Sequence, residues 1–404
     1  MGNYSIPRRV FMRSAAATGA ALVLGTGVSS QDRRSAREVK EQAFLRRVEI
    51  IDYKHGKDRS GNDIIGSVLR VTTTDGVVGG HIIEGWVKTH LGLHSGYTER
   101  LQSVLEGKNI LDHEGVWSAC LTAVEGRKSK LEIVPWCALD AACWDVHARM
   151  KNVPLYDLLG GKKRDSYPCY GDERWAEGMT AEQYARNVEK TAKSGRLLGT
   201  KLHLPGAHHK SISVDYICEA LRKIRQYCGD EFMVAYDPHP EKESADNIDD
   251  ARKILTVLDE CHYGWLEGAL PIEPKDQWLP QWLELRKEFK TRMQIEQAEL
   301  DYCPGMMDYA EAGAINLMTA DDRYWGVTGI VRLIDWIRKN PEKDVRLNLH
   351  KNASQVNRMV TASLEPEIAP WIELTGASKD GRQSIPDWIG ITNFDWKYIE
   401  RNKT

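Results

Sequence analysis

The sequence predicts an α/β fold of the parallel-barrel type, in which eight short strands alternate with helices. Three observations predict it. Short apolar runs recur as strand candidates at 167–171, 199–203, 232–237, 263–267, 293–299, 314–320, 345–350 and 370–374. Between them lie helices with apolar residues at i, i+3, i+4 and i+7: Ile217-Ala220-Leu221-Ile224, Ala251-Ile254-Leu255-Leu258 and Ile330-Leu333-Ile334-Ile337. Such one-sided helices cover a parallel sheet. Finally, three of the apolar runs stop on a carboxylate, Asp237, Glu267 and Glu299, at intervals of 30 and 32 residues. One strand–helix unit has about that length, so equal spacing puts equivalent residues at the same end of neighbouring parallel strands. An open doubly wound sheet is the alternative, but no Gly-x-Gly-x-x-Gly loop follows any of these strands.

Taken in order, residues 1–30 read as a targeting segment. Arg8-Arg9-Val10-Phe11-Met12-Arg13 precedes an apolar, Ala/Gly-rich run from Ser14 to Val28, and no acidic residue occurs before Asp32. The pattern resembles a twin-arginine export signal, which implies a periplasmic or extracytoplasmic protein. An apolar run of about 15 residues is short for a membrane span, so no stable insertion is expected once the signal is removed.

From Arg47 to about Trp86 the pattern is strand-like. Val48-Glu49-Ile50-Ile51 and Val68-Leu69-Arg70-Val71-Thr72 flank a polar loop, 54–63, expected to be either a lid or a solvated connection. Asp75-Gly76 then makes a tight hairpin into Val77 to Ile83. Helical spacing follows through Ala138, Leu139, Ala142 and Ala148; Pro154 is expected to stop that helix, and Gly160-Gly161 to cap the next turn.

The 404 residues, 42% hydrophobic and 28% charged, suffice for one large core plus a smaller domain. A formal charge of −3 argues against nucleic acid as partner. Eight cysteines show no Cys-x-x-Cys pair, and buried free thiols are expected.

Three carboxylates converging at one rim repel each other unless a cation lies between them. Oxygen ligands with room for water and substrate suit Mg²⁺ better than Zn²⁺. The bland alternative is that acidic residues simply end strands.

These residues resemble the enolase superfamily and, within it, the mandelate racemase-like branch. The stretches concerned are Ala138-Leu-Asp-Ala-Ala-Cys-Trp-Asp-Val, Pro154-Leu-Tyr-Asp-Leu-Leu-Gly-Gly161, Gly313-Ala-Ile-Asn-Leu and Gly326-Val-Thr-Gly329. The similarity covers most of residues 46–375. It implies a (β/α)8-type TIM barrel, modified to (β/α)7β, at 166–375. An α+β capping domain at 46–165 would be completed by a C-terminal segment, 376–404.

Carried over residue by residue, the resemblance makes Asp237, Glu267 and Glu299 the Mg²⁺ ligands, with Glu296 as a competitor for Glu299. The sixth-strand aspartate falls on Asp321, with Asp322 as the alternative, and its histidine partner on His350. The Lys-x-Lys motif falls on Lys201-Leu-His203, where histidine replaces the second lysine. That replacement puts the usual lysine base in doubt.

A cation bound to the substrate carboxylate stabilises the enediolate formed when the alpha proton leaves. His350, oriented by Asp321, serves as base or acid on one face. His203 serves on the other, with Lys201 holding the substrate carboxylate and keeping His203 neutral by like-charge repulsion. His239, two residues past Asp237, is the candidate acid for a departing hydroxyl, as in sugar-acid dehydratases of the superfamily.

The resulting expectation is a Mg²⁺-dependent hydro-lyase of a sugar acid, a small-molecule carboxylate, working as a homo-oligomer. A racemase or epimerase using His203 and His350 is one alternative. An exported carboxylate-binding protein without turnover is the other.

Overall fold

The computed structural model describes residues 41–58, 60–83, 95–125, 130–239, 243–295, 304–350, 354–373 and 380–404. The export-signal expectation and Glu296, Glu299 and Cys303 fall outside them.

The first three strands, β1 (Leu45–Lys57), β2 (Asp63–Thr73) and β3 (Val78–Ile83), make an antiparallel sheet in the order β1-β2-β3. Gly76 takes φ +83 in the β2–β3 turn and donates its N–H to Thr73 O at 3.0 Å. The expected loop at 54–63 is shorter than predicted, because β1 runs on to Lys57 and β2 begins at Asp63. β1 and β2 continue their ladder as far as Lys57 and Asp63, where Asp63 takes ion pairs from Lys54 at 2.8 Å and Lys57 at 3.1 Å. Polar composition misled there because an exposed hairpin needs no apolar face.

Helices α1 (Ser95–Leu105), α2 (His113–Ala123) and α3 (Val134–Lys151) follow. α3 is buried around nearly its whole circumference. It packs so closely on β3 that a Cβ added at Gly79 would sit 2.7 Å from the main-chain N of Val146. The helix ends at Asn152, which adopts the left-handed cap conformation with φ 57, so the chain has already turned before Pro154. The short helix α4 (Leu155–Leu158) leads through Gly160 and Gly161, both at positive φ, to the second region.

That region alternates β4 (Ser166–Arg174), α5 (Ala181–Lys193), β5 (Gly199–His203), α6 (Val214–Cys228), β6 (Met233–Asp237), α7 (Ile248–Glu260), β7 (Trp265–Glu267) and α8 (Lys275–Glu288). It continues through β8 (Arg292–Gln294), α9 (Pro304–Ala312), β9 (Leu317–Ala320), α10 (Asp322–Lys339), β10 (Arg346–Leu349), α11 (Gln355–Ala362) and β11 (Ile372–Glu373). Six of these strands pair in parallel in the order β11-β4-β5-β6-β7-β8, while β9 and β10 form their own parallel pair. Single main-chain bonds link the two groups, Asn316 N–H to Met293 O on one side and Leu347 N–H to Ile368 O on the other. Among the described residues the ladder therefore does not close, although eight strands stand in barrel order.

The apolar stripes of α6, α7 and α10 are buried as their spacing predicts. Tyr170, Ala235, Trp265 and Leu317 form a separate buried cluster. Three of them stand two residues before Asp172, Asp237 and Glu267, so strand alternation makes them the packed layer beneath those carboxylates.

The C-terminal segment serves both regions. β12 (Arg382–Ser384) pairs antiparallel with β4. Further on, α12 (Trp396–Arg401) buries Ile399 against Ile51 and Val68, and Thr404 donates its N–H to Asp52 O of β1 at 3.0 Å. Seven described cysteines are free thiols; five are buried, but Cys228 and Cys261 are only partly covered. No described helix is long and apolar enough to cross a membrane.

Candidate active site

Parallel register brings the strand ends together. His203 of β5 lies opposite Asp237 of β6, Asp172 of β4 lies opposite Lys201, and Glu267 of β7 lies opposite Gln294 of β8. Lys201 Nζ is 3.0 Å from Asp237 Oδ2 and 3.3 Å from Glu267 Oε2, and all three side chains are buried. One ammonium thus serves two carboxylates. Asp237 Oδ1 is buried and has no hydrogen-bond partner among the described residues.

Burial alone would raise Asp237, yet Lys201 and His203 beside it hold it well below the usual carboxylate range. Glu267 goes the other way: burial pushes it up to about 7, with Lys201 opposing and the charge on Asp237 adding to the rise. A buried pair in this state is short of positive charge. Its orphaned oxygen and all-oxygen donor set fit a hard divalent cation such as Mg²⁺. Among the described residues no group of three or more metal-ligating side chains is assembled, and the third expected ligand, Glu299, lies outside them.

The expectation that Lys201 keeps His203 neutral is corrected by this geometry. Lys201 turns its ammonium into the carboxylates. His203 Nε2 lies 3.2 Å from Asp237 Oδ2 and 3.4 Å from Asp172 Oδ1. Burial would lower its pKa, but the two carboxylates beside it raise it to about 9. His239 stacks on His203 with ring centroids 4.8 Å apart and planes 20° apart. Burial and the neighbouring His203 lower its pKa.

Across the rim, His350 follows β10, with its Nδ1 3.0 Å from Asp321 Oδ2 and its Nε2 3.7 Å from Glu373 Oε2. Burial would lower His350, but Glu373 and Asp321 raise it. Burial would raise Asp321, but His350 and Arg323 hold it well below the usual carboxylate range. The choice between adjacent aspartates is settled by direction. Asp321 faces His350, whereas Asp322 accepts from the cap, where His81 Nε2 lies 3.1 Å from its Oδ2.

Glu373, Asp172, Arg323 and His81 were absent from the sequence-predicted site. Glu373 ends β11 but lies inside the strand candidate 370–374, with Leu374 after it, so the strand-end rule passes over it. Asp172 directly follows the strand candidate 167–171, so the strand-end rule would have found it, although the strand itself runs on to Arg174.

Carboxylates, a lysine and two facing histidine groups at one rim of a parallel α/β barrel, with an antiparallel sheet and helices as cap, define an enzyme of the capped-barrel class. The sequence profile of the mandelate racemase / muconate lactonizing enzyme N-terminal domain matches residues 65–160. An L-rhamnonate dehydratase of Saccharopolyspora erythraea is 26% identical over 321 residues, 77% of this chain and 74% of that protein. A D-galactonate dehydratase family member of Cellvibrio japonicus is 23% identical over 259 residues, 57% of this chain and 61% of that protein. The solved structure of a D-glucarate dehydratase from Agrobacterium tumefaciens complexed with magnesium superposes with a TM-score of 0.70 at 18% identity, covering 90% of this chain and 100% of that one. By these matches the chain is similar to the mandelate racemase/muconate lactonizing enzyme branch of the enolase superfamily, and it shares the capped-barrel fold of the solved structure.

Proposed function

We propose that the protein is a Mg²⁺-dependent hydro-lyase that dehydrates a sugar acid to a 2-keto acid. The observation that carries the reading is the buried Asp237–Glu267 pair, which shares one ammonium and leaves Asp237 Oδ1 without a partner among the described residues. The dehydratase names of the relatives and the magnesium in the D-glucarate dehydratase structure support it. Asp237 and Glu267 would hold the ion together with Glu299. When bound, the ion supplies Lewis-acid polarisation of the substrate carboxylate, which makes the alpha proton removable.

The protein's own groups do the proton work. His350, with Nδ1–H directed to Asp321, presents Nε2 as the base for the alpha proton. His203, at the end of β5, and His239, in the turn after β6, are the candidate acids for the departing beta hydroxyl, on the other side of the barrel from β10. A side-chain base on one wall and an acid on the other match elimination better than either group alone. Export through the arginine-rich segment at 1–30 belongs to the same reading.

The test is a screen of the purified, Mg²⁺-loaded protein against a sugar-acid library for 2-keto acid formation. Keto acid from at least one member is expected. Loss of optical rotation without keto acid would instead identify a racemase or epimerase.

A further inference from the structure

Three consecutive charged residues at the start of α10 have different tasks. Asp321 faces His350, Asp322 faces His81 of the cap, and Arg323 turns back onto Asp321. Arg323 gives that carboxylate its main-chain N–H at 2.9 Å to Oδ1. Its Nε lies 2.9 Å from Oδ1 and 3.0 Å from Oδ2, and Nη2 adds a contact to Oδ2. Asp321 is 1% exposed and the Arg323 side chain 11%. The oxygen that meets His350 Nδ1 at 3.0 Å is therefore also held by a guanidinium.

Two physical effects follow. A planar fork fixes the plane of the carboxylate it grips, and hence the angle at which Oδ2 meets the imidazole. A permanent cation on the far side of Asp321 also offsets part of the negative charge that would otherwise stabilise an imidazolium. The other charged groups that act on His350 electrostatically are Glu373 of β11, Lys201 of β5 and Glu267 of β7. With Asp321, three carboxylates confront it, so the guanidinium works against a strongly acidic surround.

We propose that Arg323 is a positioning residue for the Asp321–His350 pair: it locks the carboxylate plane and weakens the hold of His350 on its proton, so that the imidazole is free to act as a base near neutral pH. The inference rests on the reading of His350 as the base.

Histidine-selective ¹³C labelling of the full chain tests it, with the His350 resonance assigned by its loss in His350→Asn. Arg323→Gln removes the charge and Arg323→Lys keeps it without the fork. In Arg323→Gln the His350 titration midpoint should rise by about one pH unit, and the acid limb of kcat/KM should move with it while KM stays within about twofold. Arg323→Lys should return the midpoint to within about 0.3 unit of wild type, still with a lower kcat from the lost fork. An unmoved midpoint in folded Arg323→Gln, or an equal shift in Arg323→Lys, would overturn the proposal. The titration needs no turnover, so an inactive wild type would count against the dehydratase reading and leave this result to judge Arg323 by itself.

Discussion

Lys201 tests how strongly the acidic rim demands positive charge. Its Nζ lies 3.0 Å and 3.3 Å from oxygens of Asp237 and Glu267. At an effective dielectric of about 20, each contact carries about 5 kcal/mol of gross attraction. Desolvation of three buried ions takes back most of it, so the pairing itself is a weak source of net stability. Removal of one partner is a different matter, because it strands the others: breaking a buried ion pair costs about 3–5 kcal/mol.

Lys201→Met keeps the apolar stem and deletes the charge. With an unfolding entropy of about 2.1 cal/mol/K per residue, a 4 kcal/mol loss in a chain of this size lowers Tm by about 5 °C. Thermal unfolding followed by circular dichroism, in EDTA and in excess Mg²⁺, measures this. The variant should melt about 5 °C below wild type in EDTA, and Mg²⁺ should raise its Tm more than that of wild type, because the ion replaces the lost charge. Equal melting in EDTA, or equal Mg²⁺ shifts in the two proteins, would refute the reasoning.

Asp321→Asn should lower kcat about 10²- to 10⁴-fold with little change in KM, measured by steady-state kinetics on the substrate found, since the carboxylate orients a group that moves a proton. The same variant reports on pH. His350 is raised above its ordinary 6.5, so its pairing contributes stability that is fully present below pH 6.5 and is lost as pH rises through the folded value. The Tm gap between wild type and Asp321→Asn should therefore be widest below pH 6.5 and narrow above it. His239→Gln should abolish keto-acid formation while exchange of the alpha proton with D₂O persists; loss of both would place His239 on the proton-abstraction side. Cys120, Cys137 and Cys143 are buried and their pKa values are pushed well above the ordinary 9.0 by that burial, so a thiol reagent should modify them only after denaturation.

Much of this arrangement was legible because it depends on period and chain order. The strand ends at His203, Asp237 and Glu267 and the buried stripes of α6, α7 and α10 follow from alternation, helical spacing and the length of a strand–helix unit. Side-chain direction was not legible. Nothing in Lys201-Leu202-His203 reveals that the ammonium turns into two carboxylates while Asp172, from the preceding strand, flanks His203. Cross-strand neighbours 29 or more positions apart in the chain decide that. The neighbouring Asp321 and Asp322 were indistinguishable for the same reason: their partners, His350 and His81, belong to opposite ends of the sequence. The hairpin at 54–63 hid because a ladder exposed on both faces carries no apolar alternation.

The central claim joins the buried carboxylates to the chemistry. Its most direct test is mass-spectrometric detection of 2-keto acid from a sugar acid in D₂O, with wild type in Mg²⁺, wild type in EDTA and Glu267→Gln in Mg²⁺ side by side. Keto acid from the first and background levels from the other two are expected. Undiminished keto acid in EDTA, or from Glu267→Gln, would contradict the assignment of these carboxylates to a catalytic cation.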